Sequence, residues 1–70
     1  MKMEVLSAVL HKEEDLYVAE CPEVGTVSQG HSVEEAVANL KEATELYLEE
    51  FALVHLTRPL LTTFEVAVNA

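Results

Sequence analysis

Residues 30–37 read Gly-His-Ser-Val-Glu-Glu-Ala-Val, and this stretch divides the 70-residue chain into two kinds of structure. Ser32 has the residue type that caps a helix N-terminus, and Glu35 follows three positions later, the S-x-x-E pattern of a capping box. Glu34 and Glu35 fall in the first turn, where the helix dipole favours negative charge. Beyond them Val33, Val37, Leu40, Thr44, Tyr47 and Phe51 recur at three-four spacing, with Ala36 and Ala43 alongside. That spacing predicts one long helix with an apolar stripe facing a core.

Upstream of Gly30 the sequence has strand character. "MEVLSAVL" (3–10) is expected to be a first strand, with Met3, Val5 and Val9 on one face and Leu6, Ala8 and Leu10 on the other. "HKEED" (11–15) closes a hairpin, and "LYVAEC" (16–21) is the second strand. Pro22 ends it, because proline has no N–H for the ladder. A turn at Gly25 leads to a short third strand, "TVSQ" (26–29). After the helix, "LLTTFEVAV" (60–68) alternates Leu60, Thr62, Phe64, Val66 and Val68 against Leu61, Thr63, Glu65 and Ala67, which predicts a fourth strand. The expected fold is therefore α+β, in the order β-β-β-α-β. A right-handed crossover returns the last strand to a four-stranded sheet with the helix on one face. On this reading the sheet's other face exposes several of Leu6, Ala8, Leu10 and Val18. Self-association or a second protein would cover that face.

Thirteen acidic residues against four Lys and Arg give a formal charge of −9. Such a chain repels phosphate backbones, so direct nucleic-acid binding is not expected, whereas a basic protein partner is electrostatically favoured. The lone Cys21 permits no intrachain disulfide and fits a cytoplasmic setting. The apolar run at the N-terminus is interrupted by Glu4 and is too short for a membrane span. On the helix, Glu42, Glu45 and Glu49 lie opposite the apolar stripe, and Lys41 is the only base. Acids near a helix C-terminus are disfavoured by the dipole. They serve either as plain solvation or as a face for a cation, supplied by Arg58 or by a partner's Arg or Lys. Glu42, Glu45 and Glu49 are the candidate partner-binding residues.

Catalytic patterns are sparse. His11, His31 and His55 share no metal-ligand spacing with one another or with Cys21. Cys21 lies between Glu20 and Glu23, which oppose thiolate formation. Ser7, Ser28 and Ser32 lack a nucleophile-elbow context. The strand acids Glu4, Glu20 and Glu65 form no convincing two-metal group. No enzyme activity, cofactor or metal is expected.

The ordered string YVAECPE (17–23), VSQG (27–30), Ser32, EEA (34–36), NLKEA (39–43) and ELYL (45–48) resembles the HicB family of antitoxins, and with the flanking strands the likeness spans nearly the whole chain. The departures are Glu23-Val24-Gly25 in the turn, Thr26 where a cysteine often follows the glycine, and His31-Ser32 in place of Asp-Thr. The resemblance implies a partial ribonuclease-H-like fold without nuclease activity, usually found as a homo-oligomer. It implies steric neutralisation of a small basic HicA-type toxin that cleaves messenger RNA. Residues 1–70 are taken as a single HicB-like domain without a C-terminal DNA-binding module, so operator binding is not carried over. The alternative is a stand-alone self-associating or adaptor domain of the same fold with no toxin partner.

Overall fold

The computed structural model describes residues 2–53 and 57–69; His55 lies outside them. Strand β1 spans Val9–Glu13, β2 Leu16–Cys21, β3 Thr26–Gly30, and helix α1 Val33–Glu50. The three strands form one antiparallel sheet in the order β1-β2-β3. Helix α1 lies across one face of it, mainly over β3 and β2.

The hairpin fixes where β1 can begin. Glu13 pairs with Leu16, leaving Glu14 and Asp15 as a two-residue turn in which Glu14 adopts φ 53°. Tight hairpins need such left-handed residues to match strand twist. Counting back, Val9 opposes Glu20, and β2 ends at Cys21 before Pro22. Residues 2–8 run past the end of their partner and belong to no ladder among the described residues. The first strand therefore lies at 9–13 and not at 3–10, and His11–Glu13 belong to the strand and not to a loop.

Register also settles the faces. Leu10 opposes Ala19, and Ala19 opposes Ser28, so these three share one side of the sheet. That side is the helix side: Ala19, Cys21, Ala36 and Leu40 form the buried core, and Leu6, Leu10, Tyr17 and Val24 pack against it. Leu6 and Leu10 thus point inward, contrary to the sequence expectation. The open face carries Val9, Glu20 and Val27 in one row and His11, Val18 and Gln29 in the next. It is less apolar than expected.

The four-stranded sheet is overturned. Residues 60–68 form no strand among the described residues, and every described residue from 57 to 69 is exposed. Strand propensity records how well a side chain fits a pleated, half-buried surface, and it names no neighbour. Here none is supplied among the described residues. The fold is β-β-β-α with an extended C-terminal segment. Its Cα radius of gyration is 14.5 Å and its extents are 50 × 28 × 16 Å. A compact domain of this length has a radius of about 11 Å.

Gly30 ends β3 where α1 comes closest. A Cβ there would meet the Ala36 amide nitrogen at 2.6 Å and the Glu35 carbonyl carbon at 2.9 Å. The helix begins as the sequence indicates: Ser32 is the N-cap, and its Oγ accepts from the Glu35 amide at 3.1 Å. Glu35 reaches back one residue further than a standard capping box, accepting from the His31 amide at 2.8 Å. At the other end Phe51 caps the helix, its amide donating to the Tyr47 carbonyl at 3.0 Å.

Candidate functional site

Side-chain bonds fix the helix on the sheet. Thr44, buried in mid-helix, shares a 2.6 Å hydrogen bond with Thr26 at the start of β3. Asn39 donates to the Gln29 carbonyl at 2.8 Å. With β3 held this way, the opposite flank of α1 is left uncovered. Val37 and Tyr47, expected to lie in the core, are 38% and 42% exposed. Tyr47 instead stacks on Phe51, with ring centroids 4.7 Å apart.

Glu42, Glu45 and Glu49 are all exposed. Their spacing of three and then four residues puts them in one line along α1. Lys41 Nζ lies 3.5 Å from Glu45, both groups well solvated, so this pair contributes little. No base stands in the last helical turn. Arg58 does not serve these acids. Its guanidinium lies 3.8 Å from Glu23 and donates to the Val5 carbonyl.

Beside the acidic line runs a groove of about 790 Å³ between α1 and residues 2–8. Val5, Leu6, Val37, Leu40 and Leu48 give it apolar walls, and Glu45 and Glu49 stand on its rim with Lys41. The sequence reading missed this groove, because it placed residues 3–10 inside the sheet. The signal that could have revealed it was Pro22, which fixes how far back β1 can pair.

The floor of the N-terminal segment is Glu23. Its carboxylate is fully buried and accepts from the Ser7 amide at 3.0 Å, from Ser7 Oγ at 2.8 Å and from Cys21 Sγ at 3.5 Å. Burial raises the pKa of this group, but the hydrogen bonds from Ser7, helped by its own backbone amide and Cys21, outweigh burial and hold it below the ordinary value. Glu23 thus joins residues 2–8, the β2–β3 turn and Arg58. Cys21 is free and buried. His11 bonds its strand neighbour Glu13 at 2.7 Å on the surface. Among the described residues no three of His, Cys, Asp and Glu are gathered to hold a metal ion. No helix among them is long and apolar enough to cross a membrane.

These features define a small α+β domain that presents an acidic helix edge and an apolar groove. The chain belongs to the UPF0150 family: it is 41% identical over 69 residues to a UPF0150 protein of Helicobacter pylori (strain J99), covering 90% of this chain and 96% of that one. No family model matches the chain, and no solved structure does.

Proposed function

We propose that this chain is an antitoxin-like protein that binds a small basic HicA-type toxin and neutralises it sterically, by occupying surface and not by catalysis. The observation that carries the reading is the exposed line Glu42, Glu45 and Glu49, of which Glu45 and Glu49 border an apolar groove. A line of acids steers a basic protein to the surface, and adjacent apolar walls supply the desolvated contact that gives an interface its strength. The HicB-like string from Tyr17 to Leu48 and membership of the UPF0150 family support the same role. Since the target would act on messenger RNA, the cytoplasm is the setting.

The test is co-expression with the small basic protein encoded beside this chain. The expected result is co-purification and relief of growth arrest, both lost when Glu42, Glu45 and Glu49 are replaced by lysine. A neighbour that arrests growth equally with and without this chain would overturn the reading. The second reading, a stand-alone self-associating domain, is favoured by the exposed C-terminal segment.

A further inference from the structure

We propose that residues 2–8 are a strap that closes one side of the groove and opens as a unit, and that the buried carboxylate of Glu23 is the clasp that holds it shut. The inference concerns the groove itself and stands whatever the groove binds.

The strap is attached at few points. Residues 2–8 belong to no ladder among the described residues, so no row of backbone bonds secures them. The bonds that tie them down end on two side chains. Ser7 donates to Glu23 from its amide, at 3.0 Å from both carboxylate oxygens, and from its hydroxyl at 2.8 Å. Arg58 donates to the Val5 carbonyl. Apolar anchoring is equally sparse: Leu6 packs half-buried against the core, whereas Met3 and Val5 are 78% and 80% exposed. A segment held by so few contacts opens at a lower free energy than the sheet and helix beside it.

Magnitudes single out Glu23. Arg58 is half exposed and stands 3.8 Å from the carboxylate, a solvated pair that contributes little. The Glu23 side chain is fully buried, and its bonds from Ser7 are charge-assisted, roughly twice as strong as neutral ones. Its lowered pKa keeps that charge in place at neutral pH. Glu23 is itself fixed to the sheet, because the turn that carries it is closed by the Gly25 amide donating to the Cys21 carbonyl at 2.7 Å. The strap is therefore the part that moves. Lifting it removes the wall made by Val5 and Leu6 and uncovers Cys21, which lines the groove and is 2% exposed with the strap in place. As the chain's lone thiol, Cys21 reports on that opening.

The experiment combines native-state hydrogen exchange with labelling of Cys21 by iodoacetamide, on the full chain. In the parent, the Ser7 amide should exchange through an opening that depends less on urea than that of Leu40, since lifting residues 2–8 exposes less surface than unfolding does. Cys21 should react through the same urea-insensitive opening. Glu23→Gln removes the charge and puts an NH2 donor where Ser7 needs an acceptor, so both rates should rise about ten- to a hundredfold. Ser7→Ala should raise the Cys21 rate by a smaller factor. It keeps the carboxylate beside Cys21, which separates opening from a change in thiol ionisation. The proposal is overturned if Ser7 and Leu40 share one urea dependence, or if the parent's Ser7 amide exchanges as fast as in the unfolded chain. A Ser7 exchange rate unmoved by Glu23→Gln, or a Cys21 rate unmoved by Ser7→Ala, also overturns it. Should Glu23→Gln fail to fold, the parent and Ser7→Ala decide alone.

Discussion

Replacing Gly30 with alanine tests how the helix is seated. Gly30 has no left-handed φ, so alanine is free of backbone strain there and by itself would stabilise the fold, by about 0.4–1 kcal/mol through the unfolded chain. Space decides otherwise. The new methyl would sit 2.6 Å from the Ala36 nitrogen and 2.9 Å from two atoms of Glu35, and the nearest of these is backbone, which cannot rotate aside. The start of α1 must lift, which strains the Ser32 and Glu35 caps as well. Overpacking of this kind costs about 1–3 kcal/mol, leaving a net loss of about 1–2 kcal/mol. Seventy residues unfold with an entropy of about 0.15 kcal/mol/K, so the melting temperature should fall by about 7–14 °C. Thermal circular dichroism, with parent and variant at the same protein concentration, measures it. A melting temperature within 2 °C of the parent, or above it, would refute the close seating of β3 under the helix.

Three further outcomes follow from the charges. The folded-state pKa of Glu23 lies below its ordinary value of 4.5, so its hydrogen bonds add stability above that value and lose it as pH falls through the lower folded pKa. Urea unfolding between pH 3 and 6 should show this decline, and Glu23→Gln should flatten it; equal slopes would separate Glu23 from acid stability. Glu42→Lys, Glu45→Lys and Glu49→Lys together should slow association with a basic partner most strongly at low salt. Stopped-flow rates equal to the parent's at every salt concentration would remove the helix edge from the interface. Under the self-association reading two chains of charge −9 would meet, so the dissociation constant should fall as salt rises, and a rise would mean that ion pairs hold the assembly.

The legible half of the fold was the half governed by local rules. Ser32 and Glu35 announced the helix start, and the three-four spacing announced its inner face down to Ala36, Leu40 and Thr44. The order of the first three strands was likewise readable. What failed depended on pairing. Strand alternation of Met3, Val5 and Val9 against Leu6, Ala8 and Leu10 was expected, but residues 2–8 form no strand and Ala8 is exposed; within β1 itself, which side faces the helix depends on Leu10 opposing Ala19, and a shift of one residue reverses the answer. The turn at Glu14 and Asp15 carries neither Asn-Gly nor Asp-Gly, so nothing local marked it within the polar run. The acids on α1 are exposed as the helical spacing indicated, while the groove that Glu45 and Glu49 border was invisible, because it forms where β1 fails to extend.

The buried core is small. Among the described residues the buried apolar set is Ala19, Cys21, Ala36 and Leu40, one large side chain among small ones. Fully burying a side chain such as Leu or Phe contributes about 1.5–3 kcal/mol, and Phe64, Leu60, Val66 and Val68 lie exposed outside the core. A chain of this length has little margin to forgo it. The acidic edge occupies different ground. Glu42, Glu45 and Glu49 follow one line of α1, with Glu45 and Glu49 at the rim of the groove and not on its apolar wall. An apolar wall bordered by carboxylates is the layout the proposed function requires: the charges would steer a basic partner, and the wall would hold it once water is expelled.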